Sequence, residues 1–163
     1  MQIRDILDSR RIVLDLAGHS KKEILTVLAT AVCDTHSGIP GDKLVDVLVK
    51  REETSTTAIA DGIAIPHGKM ELGNEEVICA FGRSTDGLDF QSVDGKPTQI
   101  FFLLVSPDSN PSLHLRWLAH LAVLLKNPEL RGKLLEAAGA DQILAAIQAE
   151  EEARAREATS ADT

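Results

Sequence analysis

The stretch that most limits how this chain folds is Asp61-Gly62-Ile63-Ala64-Ile65-Pro66-His67-Gly68-Lys69, where a β-branched apolar run stops at a histidine held between proline and glycine. Residues 63–65 have the branched composition of a buried strand. Pro66 has no N–H to give to a ladder, so the strand is expected to end there and leave His67 on the loop beyond it. Gly68 removes a side chain, which is needed where a neighbour presses on the backbone or where φ turns positive. A histidine in this setting can simply finish a turn, so its meaning depends on what the rest of the chain places around it.

That remainder alternates helix and strand signals. Ile3, Ile6 and Leu7 suit one or two helical turns, and residues 12–16 alternate as a strand does. Ser20-Lys21-Lys22-Glu23 fits a capping box ahead of a helix whose apolar positions are Ile24, Leu25, Val27, Leu28, Ala31 and Val32, closed by Gly38 and Pro40. A second helix, from about residue 42 to 51, turns Leu44, Val47 and Leu48 inward and carries Lys50 and Arg51 in its last turn. Residues 77–81 and 100–105 are apolar runs short enough to be strands, with an Asp94-Gly95 hairpin signal between them. Residues 106–111 read as a loop, and residues 112–126 as a helix with His114 in its first turn above Leu118, Leu121 and Leu125. His120 falls off that face. Asn127-Pro128-Glu129 starts another helix and Asp141 a last one through Ile147. The pattern predicts an α/β fold, one layered domain over residues 1–149 with a mixed central sheet flanked by helices. Residues 150–163 have no apolar face and are expected to fray into a disordered acidic tail.

Composition narrows the partners. The 163 residues suffice for one core burying roughly 70% of the unfolded surface. Hydrophobic residues make up 44% but aromatics only 3%, so Leu, Ile, Val and Ala must fill the core and no platform exists for stacking bases. A net charge of -8 likewise opposes a phosphate backbone as partner, so nucleic acid is excluded. Cys33 and Cys79 sit in apolar patterns and read as small core residues of a reducing compartment. The N-terminus lacks the basic-then-apolar build of a signal peptide, and no apolar run approaches the roughly 18 residues that span a bilayer. A cytoplasmic, free-standing protein without membrane insertion or a fused permease is expected.

Leu48-Val49-Lys50-Arg51-Glu52, Thr57-Ala58-Ile59, Gly62-Ile63-Ala64-Ile65-Pro66-His67-Gly68-Lys69, and His114-Leu115 with Leu118 together resemble the enzyme IIA domains of the bacterial phosphotransferase system, of the fructose/mannitol and nitrogen-regulatory type. The similarity runs from about Met1 to about Ile147. It implies the same α/β fold, and it implies that His67 accepts a phosphoryl group from a phosphorylated histidine carrier protein. It also places a second active-site histidine at His114. Phosphoryl transfer needs an in-line nucleophile and groups that meet the charge on the equatorial oxygens. A neutral imidazole is such a nucleophile near pH 7. Arg51, whose planar fork suits phosphate oxygens, lies just before the Thr-rich loop leading to the motif, and His114 at a helix N-terminus can orient the group. Thr56 and Thr57 are further candidates to donate to the phosphate, and Glu52 to pair with Arg51. The chain departs from the family at Ala58 and Ala60, where glycine is usual, which bears on how closely the backbone wraps the phosphate. Met70, Leu72 and residues 107–111 are candidate rim residues of a shallow, apolar-edged depression.

A stand-alone domain points to the nitrogen-regulatory branch, where the loaded or unloaded form regulates a downstream protein. The alternative within the same chemistry is sugar uptake through a separate IIB component. Two other classes compete. A metal-dependent hydrolase would draw on His67, His114 and Cys79, but the chain has no CxxC pair and no HExxH helix. A binding module that has lost phosphotransfer would fit the two alanines. Neither metal nor cofactor is expected.

Overall fold

The most apolar run of the chain forms the middle of the sheet. The computed structural model describes residues 1–74 and 76–162. After a 3₁₀ turn at Ile3–Asp5 come β1 (Leu7–Val13), α1 (Lys21–Thr35), α2 (Gly41–Thr54), β2 (Ile63–Ala64), β3 (His67–Met70), β4 (Ile78–Leu88), β5 (Thr98–Pro107), α3 (Pro111–Leu124), α4 (Pro128–Glu136) and α5 (Ala140–Ala161). The sheet runs β1-β4-β5, with β2 and β3 both on the far side of β5. β4 and β5 are antiparallel; the other pairings are parallel. The α/β fold with a mixed sheet is thus as expected.

Alternation along β5 divides the core in two. Ile100, Phe102 and Leu104 face α3, α4 and α5, while Phe101, Leu103 and Val105 face α1 and α2. Helices therefore cover both faces, as strands apolar on both sides require. Among the described residues no helix is long and apolar enough to cross a membrane.

Three departures from expectation have clear physical causes. The motif strand does not end at Pro66, and His67 is the first residue of β3 rather than part of a loop. Pairing lapses at residues 65–66, where proline has no donor, yet the Pro66 carbonyl accepts the Leu104 N–H at 3.0 Å and the register carries across unchanged, with Ile63 opposite Ile100 and His67 opposite Leu104. β4 and β5 outrun their apolar cores, and β4 carries the buried Arg83 because its charge is met: the guanidinium donates to the carbonyls of Leu14, Leu134 and Ala137. Ser106 and Pro107, expected in a loop, belong to β5.

The third departure is the tail. α5 continues to Ala161, where fraying was expected from residue 150. Polar docking replaces the missing apolar face: Glu150 accepts from Asn127 (2.8 Å) and Arg154 (3.0 Å), and the buried Glu151 carboxylate accepts the Ile3 N–H at 2.8 Å. Thr163, the last residue of that tail, lies outside the described residues.

Candidate functional site

His67 is held from both sides of its strand. Its Cα lies opposite Leu104, so its ring points to the α3 side, while Gly68 faces α2. A Cβ on Gly68 would stand 2.7 Å from Val47 Cγ1 and 3.5 Å from Leu48 Cδ2. Close approach of α2, not a positive φ, is therefore what requires the glycine. One helical turn past Val47, Arg51 reaches the histidine and donates from Nε to His67 Nε2 at 3.1 Å, and its Nη1 donates to the Ser55 carbonyl at 3.0 Å. On the other side of the ring, Nδ1 lies 2.7 Å from the Ile65 carbonyl oxygen. A carbonyl oxygen only accepts, so Nδ1 carries the proton and Nε2 the lone pair.

His114 enters from α3, whose start is set by the Asn110 side chain accepting the Leu113 N–H and by Pro111 in the first turn. The ring is buried, with Nδ1 2.7 Å from the Ser106 hydroxyl at the end of β5. The two imidazole centroids are 5.2 Å apart at a 53° tilt. The structure thus gathers His67, Arg51 and His114 from three separate elements.

Burial is the main reason both histidines titrate low. It pulls His67 below its ordinary value, with the Ile65 carbonyl opposing and the Arg51 charge adding to the drop. His114 falls to about 4, first by burial and then through His67, Lys69 and Arg51. At neutral pH the site therefore offers a neutral nucleophile beside the positive charges of Arg51 and Lys69.

The threonines are used differently from the expectation. Thr57 gives its N–H to Glu52 Oε1 at 2.8 Å and its hydroxyl to Oε2 at 2.7 Å. The Thr56 hydroxyl donates to the Phe90 carbonyl and accepts from Lys21 and the Ala58 N–H. Both are bound into the scaffold rather than presented to a phosphate. Glu52 pairs not with Arg51 but with Lys21, at 2.8 Å, in a buried position.

Ala58 and Ala60 do not need positive φ, because the chain turns just after them at Asp61 (φ 58°) and Gly62 (φ 76°), closed by the Ile63 N–H on the Ala60 carbonyl. Met70 and Leu72 are buried and form no rim, whereas Leu115, next to His114, is 65% exposed. Cys79 cannot join the histidines. It lies across Leu104 from His67, on the next strand over, fully buried with its thiol pushed up to about 12. Among the described residues no group of three or more His, Cys, Asp or Glu converges as a metal would require.

Sequence reasoning missed Ser106, Lys69 and the Glu52–Lys21 pair. Lys69 carried a usable signal: two residues beyond His67 on the same strand, it shares the histidine's face. The Asp61-Gly62 pair likewise marks a tight turn that was legible in the sequence.

The chain matches the family model described as "Phosphoenolpyruvate-dependent sugar phosphotransferase system, EIIA 2" over residues 5–150. It is 34% identical over 147 residues to a nitrogen regulatory protein of Bradyrhizobium diazoefficiens, covering 90% of this chain and 95% of that protein. It is 33% identical over 144 residues to the fructose-specific EIIABC component of Bacillus subtilis, covering 88% of this chain but only 22% of that longer protein. Among solved structures, the nitrogen regulatory protein IIA-Ntr of Neisseria meningitidis superposes with a TM-score of 0.82 at 29% identity, over 89% of this chain and 98% of that one. The IIA mannitol structure from Escherichia coli superposes with a TM-score of 0.71 at 17% identity, over 86% of this chain and 97% of that one, a likeness of fold.

Proposed function

This chain belongs to the phosphoenolpyruvate-dependent sugar phosphotransferase system EIIA 2 family, and from that premise we propose that it carries a phosphoryl group on Nε2 of His67, received from a phosphorylated histidine carrier protein in the cytoplasm. One observation carries the proposal: the Ile65 carbonyl holds the proton on Nδ1, which leaves the Nε2 lone pair directed at the Arg51 guanidinium. In the transfer, that lone pair forms a bond to phosphorus as the donor's nitrogen–phosphorus bond breaks and the donor imidazole takes back its electron pair. No proton needs to move. The positive charge that develops on the His67 ring is met by the Ile65 carbonyl, and the roughly -2 charge of the phosphoryl group by Arg51 and Lys69. His114, oriented by Ser106, closes the opposite side as a hydrogen-bond partner for an equatorial oxygen.

The regulatory branch is favoured by the nitrogen regulatory relative matched along nearly its whole length and by the likeness to IIA-Ntr. In this reading the phosphorylation state of His67 governs binding to a downstream protein. A sugar-transport role, with the phosphoryl group passed to a IIB component, is supported by the fructose-specific relative and by a solved complex of E. coli IIAMTL with phosphorylated IIBMTL.

Incubation with the upstream enzyme, phosphoenolpyruvate and the carrier protein tests the proposal. Label is expected on the wild type and on His120→Ala, whose ring lies toward Glu151 of α5, and is expected to be lost in His67→Ala. Labelling that survives His67→Ala contradicts it.

A further inference from the structure

We infer that the buried Glu52 carboxylate is a positioning residue for His67, fixing the tautomer of its ring through Thr57 and Ile65; the inference rests on the phosphocarrier role proposed for His67. Glu52 follows Arg51 in α2, but its side chain turns inward to accept three hydrogen bonds. Two come from Thr57, through its N–H and its hydroxyl, and one from the Lys21 ammonium. Lys21 also donates to Thr56 and lies over the Phe90 ring, 4.8 Å from its centroid. A carboxylate this buried is costly unless every lone pair is met, and here the partners come from α1 and from the segment leading to the motif.

Thr57 is the base of a tight hairpin. Its carbonyl accepts the Ile65 N–H at 3.1 Å, Ala58 bridges Ala64, and the turn between the two legs is made at Asp61 and Gly62. The Ile65 carbonyl then accepts the His67 Nδ1–H at 2.7 Å. An unbroken line of short contacts therefore runs from the carboxylate to the imidazole proton. Because Arg51 and Glu52 are adjacent on one helix, the same turn of α2 sets both ends of the ring: Arg51 at Nε2 directly, Glu52 at Nδ1 through the hairpin. The arrangement resembles a metal-bound histidine whose far nitrogen is fixed by an outer partner, except that here a backbone carbonyl is the last link.

Glu52→Gln is the discriminating variant. It keeps shape but removes the charge opposite Lys21, and its amino group either faces both Lys21 and the Thr57 N–H at the Oε1 position or takes the Oε2 position, where the Thr57 hydroxyl must turn from donor to acceptor. Long-range proton–nitrogen spectra of histidine-labelled protein are expected to show a single Nδ1–H ring at His67 in the wild type and a mixture of tautomers in E52Q. The phosphorylation rate at saturating carrier should fall about tenfold while the KM for the carrier stays the same, as when an outer partner of a functional histidine is lost. Retention of the wild-type ring spectrum and rate in E52Q overturns the inference. If E52Q loses its folded spectrum, Glu52→Asp decides instead: it keeps the charge but draws the carboxylate back from both Thr57 donors, and an unchanged ring spectrum and rate there overturn the inference equally. A wild-type ring that is Nδ1-protonated but never labelled would sink the phosphocarrier reading and leave the positioning role standing, whereas a wild-type mixture of tautomers sinks the positioning role alone.

Discussion

At the scale of single residues, burial keeps two imidazoles neutral next to fixed positive charge. His114 makes this measurable as stability. Its pKa in the folded protein, about 4, lies below the unfolded value of 6.5, so between those values the unfolded chain binds more protons. Its contribution is fully present above about 6.5 and is lost as the pH falls toward 4. Unfolding free energies from urea titrations between pH 7 and 4 should drop more steeply for the wild type than for His114→Gln, by roughly 1–3 kcal/mol across the window. Arg51→Ala should lower the phosphorylation rate by about 10²-fold, the usual cost of one preorganised donor, and Arg51→Lys should recover little because an ammonium lacks the planar fork. A rate within a factor of two of wild type in either variant would remove Arg51 from the mechanism. That His67, Arg51 and His114 would meet was implied by the family resemblance, with residue type and chain position in support. The fate of Thr56 and Thr57 could not be read from the sequence, because a hydroxyl takes whatever acceptor tertiary packing brings, and here that is Glu52 and Phe90.

At the scale of elements, caps were the most legible feature and strand ends the least. Ser20 and Asn127, both read as caps, accept from an amide in the first turn of the helix they precede, a local interaction that needs no knowledge of the fold; Asn110, read as loop, caps α3 in the same way. The ends of β4 and β5 depend instead on distant partners, such as the Leu134 and Ala137 carbonyls for Arg83. α5 was underestimated for the same reason, since Glu151 acts only because the N-terminal turn lies beside it. Glu151→Ala should strand the Ile3 N–H and destabilise the protein by about 1–3 kcal/mol in chemical denaturation; no change would show that the clasp is idle. Gly68→Ala forces a methyl onto Val47 and pushes α2, with Arg51, off the ring. It should cost about 1–3 kcal/mol and slow labelling. Adding Val47→Ala should recover part of both losses, and strictly additive effects would show that the contact does not matter.

At the scale of the whole molecule, the three layers exist to put one short strand between two helices. The alternation of helix and strand signals along the chain was enough to foresee a mixed sheet under helices, and β5 bears it out by dividing its side chains between two cores. What those signals did not reveal is that β2 and β3 are one strand interrupted at Pro66, since proline read locally means an ending, and only the register with β5 shows the continuation. The continuation matters for the role proposed for His67. It gives His67 the rigidity of a sheet while the break frees the Ile65 carbonyl to hold its proton. The nitrogen to which phosphorus becomes attached therefore tests the account most directly. Nitrogen-15 spectra of the phosphorylated protein should show the phosphoryl group on Nε2 of His67 with Nδ1 still protonated; phosphorus on Nδ1 of His67, or on His114, would contradict it.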